Sequence, residues 1–241
     1  MGAQPGEEFD NVLKYVKTHG NLHVEGIYTH FADAEIKNSK YAQSQHEKFL
    51  SALEQAQGYN INPRFVHESN SAATEWFKDA RFNAVRIGRR LYMDNRDLIY
   101  SGVSCDKLPI KEVASFRSEI VNIKTLSAGQ RAGYNVNYKT TRTSRIAIVC
   151  AGYCDGVQKK FVENNVPVLV NNDKAKYVGV CMDQTLLDVT DVDCKIGDEV
   201  TFFGRSRDNV MLSSQYVGEM INEEGVYLTS MLTDRVQRVY V

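Results

Sequence analysis

The stretch "RFVHESNSAATEWF", residues 64–77, places a short apolar run directly before a helical pattern. The run "RFVHESN" is typical of a strand, and "SAATEWF" is typical of a short helix that begins at a polar cap. Another strand pattern, "FNAVRIG", follows at 82–88. Alternation of strands and helices is typical of a parallel sheet covered by helices. The stretch therefore predicts an α/β arrangement.

The same alternation extends back to residue 6. Apolar residues at helical spacing and then a glycine stop signal predict a first helix: Phe9, Val12, Leu13, Val16 and Gly20. The run "NLHVEGIYTHF", 21–31, reads as a strand, and residues 39–57 show a helical pattern with one apolar face. The first part of the chain is thus predicted to be part of a β/α fold.

After residue 110 the pattern changes to short β-rich runs divided by Gly, Asn and Asp turns. Six such runs predict strands of a β-domain: "SEIVNIKTL", "SRIAIVCAG", "VPVLVNN", "KYVGVCM", "LLDVT" and "DEVTFFG". The polar segment 94–111, "DNRDLIYSGVSCDKLPIK", marks the join. We therefore predict an α/β domain over residues 1–100 and an all-β domain over 101–241.

The composition indicates an ordinary globular protein that acts on small molecules. The 241 residues are 43% hydrophobic and carry a net charge of −1, with scattered lysines and arginines that do not indicate a nucleic-acid partner. The five cysteines form neither a C-x-x-C pair nor a Cys/His spacing, so no metal site is predicted. No apolar run reaches the length of a membrane span, and the first ten residues lack signal-peptide features. A cytoplasmic location is expected.

Two tyrosines each follow a glycine at the two ends of one apolar strand. They are Tyr134 and Tyr153, within "RAGYNVNYKTTRTSRIAIVCAGYCDGV" at 131–157. A Gly-Tyr pair at a strand end is often a turn with a half-buried ring. A phenol at such a bend can also reach into a cleft and move a proton. The residues alone leave both interpretations open.

Polar residues follow the predicted strands of the first domain. The carboxyl ends of strands build the active site in β/α barrels, so such residues are candidates for a site. Singly, each has an ordinary structural explanation: a strand-end histidine, a helix cap and a salt-bridging arginine. Asn70 and Ser71 lie at a helix start, where Asn-Ser is an ordinary cap. Together, an imidazole, a serine at a helix start, an arginine and a glycine turn form a plausible cradle for a phosphate and a ring: His30, Ser71, Arg86 and Gly88. His46, on the apolar face of its helix, is assigned to packing.

Seven motifs, in this order, resemble the alanine racemase family of fold-type III pyridoxal phosphate (PLP) enzymes. They are "EGIYTHFADA", "NSAAT", "VRIGRRLYM", "AGYNVNY", "AGYCDGV", "VGVCMDQTLLDVT" and "RVQRVY". The resemblance covers nearly the whole chain. It implies that the first domain is the second half of a TIM-type (β/α) barrel, followed by a C-terminal β-domain.

The resemblance also implies a PLP site in the first domain. His30 would lie on or near the pyridine ring, and Arg86 would donate to the pyridine nitrogen. A phosphate would be held by Asn70, Ser71 and the backbone N–H groups of Gly88 and Arg89. A guanidinium does not surrender its proton, so the ring nitrogen would stay unprotonated and side reactions would be suppressed.

Proton transfer is implied for the second domain. Tyr134 would be the acid/base on one face of the substrate Cα, and it precedes Tyr153 by the family's spacing. Tyr153 would lie at the entrance, and Met182 and Asp183 would help bind the amino-acid substrate. In the family these residues reach the cofactor of the other subunit, so a homodimer with shared active sites is expected.

Some expected features of the family differ or are not found. The second base would be the lysine that binds PLP, but no lysine here lies in a "VxKANAYGHG"-type motif, so we expect this chain to lack the lysine-bearing N-terminal half. Ala3 stands where the family has a carboxylate-binding arginine, if Met1 aligns. Asp234 stands where many members have a phosphate-contacting tyrosine. Three functions stay open: an alanine racemase, a racemase of serine or another amino acid, and a non-catalytic binding protein.

Overall fold

The computed structural model describes residues 2–92, 111–134 and 138–240, and these fall into two compact units. The first unit contains the described residues up to Leu91, and the second contains Tyr92 and all described residues from Lys111 onward. The predicted boundary between residues 100 and 101 lies outside the described residues, as does Cys105. Among the described residues, no helix has the length and apolar character needed to cross a bilayer.

The described residues of the first unit form three α-helices, two short 3₁₀ helices and two strands, and the α-helices and strands were predicted. They are α1 (Glu7–Thr18), β1 (Gly26–Tyr28), α2 (Lys40–Gly58), β2 (Phe65–His67) and α3 (Ser71–Trp76). The side chains of Ser39 and Asn70 cap α2 and α3 by accepting bonds from backbone N–H groups three residues on, at 3.3 and 3.0 Å. β1 and β2 pair in parallel, with Tyr28 opposite His67. The α/β prediction is confirmed for this unit.

The described residues do not confirm the prediction of half a TIM-type barrel. The predicted strand at 82–88 forms only a single parallel bridge, between His67 and Ala84. The Asn83 side chain explains the difference, because it accepts from Val66 N and donates to Arg64 O, both at 2.8 Å. The Asn83 amide thus forms hydrogen bonds with backbone groups near β2 that would otherwise pair with a neighbouring strand. The parallel sheet of this unit has two strands.

The second unit is built from β-strands, and all six predicted strands are present. Its strands are β3 (Phe116–Leu126), β4 (Arg131–Ala132), β5 (Tyr138–Lys139), β6 (Ser144–Val149), β7 (Pro167–Val170), β8 (Asp173–Val180), β9 (Thr185–Asp188), β10 (Glu199–Arg205) and β11 (Met211–Leu212). Three short helices accompany them: α4 (Lys160–Glu163), α5 (Ser214–Glu219) and α6 (Gly225–Ser230). The sequence interpretation missed these helices and the short strands β4, β5 and β11.

Six strands of the second unit close into an antiparallel barrel. The order is β10, β3, β6, β9, β8 and β7, and β10 also pairs with β7 through Val200 opposite Val170. Closure leaves no open edge among these six strands and surrounds one large apolar core. Fully buried aromatic rings, including those of Phe161 and Phe202, fill it. This barrel gives the turns between its strands a rigid support.

One buried polar group in this core predicts a measurable gain in stability. The Tyr177 side chain is buried against Phe161 and Phe202, and its hydroxyl forms no hydrogen bond with the described residues. Burial also raises the pKa of this phenol. An unpaired buried hydroxyl opposes folding, so Tyr177→Phe should raise the free energy of unfolding by about 1 kcal/mol. Urea denaturation measures this change.

The opposite sign is expected for a tyrosine whose hydroxyl has a partner. Tyr138 donates to Asp188 Oδ2 at 2.5 Å, so Tyr138→Phe should lower the free energy of unfolding. Equal losses in the two variants would show that Tyr177 has a partner in solution.

Candidate functional site

Arg86 joins the ends of β1 and β2 through its guanidinium group. Its Nη2 donates to the carbonyl oxygens of Thr29 at 2.6 Å and Glu68 at 3.1 Å, and its Nη1 donates to the carbonyl of His67 at 3.3 Å. The Arg86 backbone N–H donates to Ser69 O at 2.9 Å. A side chain held by three carbonyl groups has little freedom, so Arg86 presents its charge in a fixed place.

Two imidazoles complete the network around Arg86. His30 Nδ1 lies 3.0 Å from Arg86 Nη2, and His67 Nδ1 contacts Arg86 Nη1. Because an arginine only donates, both Nδ1 atoms must accept, and the ring proton belongs on Nε2 in each histidine. Burial and the neighbouring guanidinium lower the pKa of His67. The ring of His67 also stacks on Tyr28, with centroids 5.0 Å apart.

His67 is a site residue that the sequence interpretation missed. It is the last residue of β2, three positions before Asn70, and so lies at the same strand end as the predicted residues. Its position at a strand end was a usable signal, but nothing in the local sequence indicates that Arg86 bonds to it.

Ser71 and Gly88 lie next to each other, as the cradle prediction requires. The Gly88 N–H donates to Ser71 Oγ at 3.0 Å, and a Cβ at Gly88 would meet no atom of the described residues within 4 Å. Asn70 has a structural role as well, because its side chain caps α3. The Arg89 guanidinium lies 3.7 Å from Glu35 Oε1. The structure therefore brings a hydroxyl, a backbone N–H and open space together.

A buried carboxyl group hydrogen-bonded to a histidine lies next to this network, and the sequence interpretation did not predict the contact. Glu68 is fully buried, and its Oε2 lies 2.7 Å from His46 Nδ1. Its Oε1 has no partner within the described part of the chain. Burial raises the pKa of the Glu68 carboxyl, and the bond to His46 offsets part of this change. His46 also contacts the Phe77 and Phe82 rings, as expected of a packing residue, and its bond to Glu68 is a role that the assignment to packing left out.

In the second unit, Tyr153 and Met182 lie on two turns joined by backbone hydrogen bonds. Tyr153 N donates to Cys181 O at 3.0 Å, and Cys154 N donates to Met182 O at 2.9 Å. The side chains of Tyr153 and Met182 are half-exposed. Lys159 Nζ lies 4.6 Å from the centroid of the Tyr153 ring, a cation–π contact. The structure thus brings together the predicted residues Tyr153, Met182 and, next in the chain, Asp183.

Tyr134 lies on a separate turn close to the same strand of the barrel. Its side chain is 77% exposed, and it follows Gly133, which has φ +80°. Gly133 packs on Gly179 of β8, the strand that leads into Met182. The positive φ and the close approach explain why a glycine precedes this tyrosine. The phenol is free to contact a substrate.

The two residues that depart from the family pattern are Ala3 and Asp234. Ala3 is partly buried and precedes α1. Asp234 is exposed between Thr233, whose hydroxyl donates to Cys154 O at 2.6 Å, and Arg235, which pairs with Asp155 at 2.8 Å. Neither position carries an unpaired buried charge.

Comparisons with known proteins match the chain along its length. The family model described as "Alanine racemase, C-terminal domain" matches residues 113–240, and that described as "Alanine racemase, N-terminal domain" matches residues 1–96. Part of the N-terminal domain is therefore present, so the expected lack of the N-terminal half is not confirmed. The lack of a lysine motif stays a sequence observation.

Individual relatives agree with this match. An alanine racemase of Clostridium tetani is 31% identical and one of Halothermothrix orenii is 33% identical, each over the whole of this chain and 62% of the relative. Solved alanine racemases of Clostridium difficile 630 and of Bacillus anthracis, the latter with bound L-Ala-P, superpose over all of this chain with TM-scores of 0.88 at 29% and 32% identity. Each match covers 61% of the solved chain.

The chain therefore spans about three fifths of the length of the relatives it matches. Within that span both domain models match in the order that the two units have along the chain. The chain belongs to the alanine racemase family.

Proposed function

We propose that this chain is part of an alanine racemase, which interconverts L- and D-alanine with PLP. The observation that carries the proposal is the fixed Arg86 guanidinium with His30 beside it. Such a group, at the ends of two parallel strands, suits recognition of a flat, polar ring. Membership of the family supplies the reaction class.

The residues present fit PLP. The Ser71 hydroxyl and the Gly88 N–H are polar groups suited to a phosphate, and the open space at Gly88 leaves room for one. Arg86 would donate to the ring nitrogen by giving up one of its present Nη bonds, and His30 would lie near the ring. When bound, PLP would supply an electron sink for the negative charge that develops at the substrate Cα.

This chain's own residues would then hold the ring and move the proton. Arg86 keeps its proton, so it would hold the ring nitrogen unprotonated and limit how far charge spreads into the ring. Tyr134, on its exposed turn, would transfer a proton at one face of the substrate Cα. Tyr153, Met182 and Asp183 would contact the substrate. We further propose a homodimer in which the sites are shared, and a cytoplasmic location.

Racemisation is the direct test. The chain is combined with a segment of a relative that carries the family's lysine motif, and D-alanine formed from L-alanine is measured together with turnover of serine. Conversion of alanine in preference to serine supports the proposal. Preferred conversion of serine would assign the second racemase, and no conversion of any amino acid would favour a binding protein.

PLP binding by the 241-residue chain tests the cradle separately. Arg86→Ala removes the donors beside His30, so PLP affinity should fall at least about tenfold, as expected for loss of a charged hydrogen bond. Ser71→Ala should weaken binding while leaving the Arg86 network in place. Fluorescence titration with PLP measures both.

An exposed arginine serves as the matched control for Arg86. The Arg64 side chain is 73% exposed and pairs with Glu25 at 3.3 Å. Arg64→Ala should leave PLP affinity unchanged. Equal effects of Arg64→Ala and Arg86→Ala would contradict the assignment of Arg86.

A further inference from the structure

The turn with Tyr134 lies in a short hairpin formed by β4 and β5. Among the described residues, two residue pairs join these strands, Arg131 with Lys139 and Ala132 with Tyr138. At its base, the Thr140 hydroxyl donates to Ser127 O at 2.6 Å, and Gly129 N donates to Thr140 O at 2.8 Å. A two-stranded hairpin of this length is not stable alone in water. Its position therefore depends on bonds to the barrel.

Tyr138 provides such a bond. Its phenol donates to Asp188 Oδ2 at 2.5 Å, and Asp188 is the last residue of β9 in the barrel. Burial and the bond to Asp188 raise the pKa of Tyr138 to about 12. The phenol therefore remains a donor throughout the neutral range, and this bond does not switch with pH there.

Asp188 is itself fixed from its other side. Its Oδ1 accepts from the backbone N–H of Thr190 at 2.9 Å and from the Thr190 hydroxyl at 2.5 Å. These bonds lower the pKa of Asp188 despite its partial burial. A charged acceptor held on a closed barrel is a rigid anchor, and a hydrogen bond to it is stronger than one between neutral groups.

The strand register connects this anchor to Tyr134. Tyr138 lies opposite Ala132, and Tyr134 is two residues beyond Ala132. Gly133, which lies between Ala132 and Tyr134, packs on Gly179 of β8. The bond to β9 and the contact with β8 thus fix the hairpin next to the tyrosine. Loss of the bond to Asp188 would remove the side-chain bond that ties β5 to the barrel.

We propose that Tyr138 and Asp188 are positioning residues that hold Tyr134 in place for proton transfer. The proposal rests on the proposed function, because it gives Tyr134 a proton to move. A proton-transfer group must lie within hydrogen-bond reach of the atom it serves, and a displacement of about 1 Å can cost about a hundredfold in rate. Tyr138 and Asp188 act through Tyr134 and do not contact the substrate.

Hydrogen exchange tests the anchor in the purified chain without any cofactor. In Tyr138→Phe, the backbone amides of Gly129 and Thr140, which are hydrogen-bonded at the base of the hairpin at 2.8 and 2.9 Å, should exchange at least about tenfold faster, because a bond to a charged acceptor is lost. Tyr216→Phe is the control, since Tyr216 is an exposed tyrosine on α5, outside the hairpin. Unchanged exchange in Tyr138→Phe would overturn the proposal, as would equal acceleration in both variants.

Kinetics of the completed racemase test the consequence for Tyr134. Tyr138→Phe should lower kcat about tenfold or more, with KM and PLP affinity unchanged, because misplacement affects only the transfer step. Adding Tyr138→Phe to Asp188→Ala should cause no further loss, since both remove the same bond. Additive losses, or a change in KM alone, would refute the positioning role. If the parental protein does not racemise alanine, the proposed function fails, and the exchange experiment still decides on the anchor.

Discussion

Tyr134→Phe should lower kcat of the completed racemase by about 10²–10⁴-fold, the usual worth of a general acid–base group. The phenol hydroxyl is the only atom removed, and the exposed ring makes little contribution to the core. PLP affinity should therefore stay at the parental value, because the residues of the proposed cradle are unchanged. Racemisation rates from both enantiomers, measured with a PLP titration of the same sample, give both quantities.

The control for this experiment must be a tyrosine with no bond to the barrel. Tyr138, four residues on, is unsuitable because its hydroxyl bonds to Asp188. Tyr216 is 45% exposed on α5 and carries no proposed role. Tyr216→Phe should racemise at the parental rate. If Tyr134→Phe does so too, Tyr134 is only a strand-end ring in a glycine turn.

The local part of the fold could be read from the sequence. Alternating apolar residues and turn residues predicted every long strand of the second unit, because each of these strands has at least one face in the core. Closure of the barrel could not be read in the same way. It depends on β10 pairing with β7 as well as β3, and these partners are far apart along the chain.

The half-barrel prediction was not confirmed for a similar reason. The apolar pattern of 82–88 is compatible with a strand, and periodicity alone favours one. In the structure, the Asn83 amide bonds to the backbone of Arg64 and Val66, so only Ala84 forms a bridge to β2. A side chain that replaces a strand partner leaves no periodic signal.

In the candidate site, the sequence predicted one contact and missed another. Ser71 and Gly88 were predicted as parts of one cradle, and the structure joins them by a hydrogen bond. The buried pair of His46 and Glu68 was missed, because 22 residues separate its members and neither has a distinctive motif. Partners of buried charges are set by packing and not by spacing in the sequence.

Gly152→Ala should lower the free energy of unfolding of the second unit by about 3 kcal/mol, at the upper end of the usual cost of overpacking. A Cβ at this position would lie 2.5 Å from Cys181 O and Met182 O and 2.6 Å from Asp183 N. All three are backbone atoms, so no side-chain rotation relieves the clash, and the two turns must separate. The melting temperature should fall by roughly 10 °C, which thermal unfolding followed by circular dichroism measures.

The separation should also damage the proposed substrate site, because Tyr153 and Met182 lie on the two turns that Gly152 allows to meet. Gly179→Ala is the matched control on the same side of the barrel, since a Cβ there would meet Gly133 Cα at an ordinary 3.6 Å. That variant should keep most of the parental stability. The contradicting result is that Gly152→Ala and Gly179→Ala both melt at the parental temperature. That result would mean that the two turns lie further apart than the 2.5 Å contacts imply. Tyr153 and Met182 could then not be treated as one substrate-contacting surface.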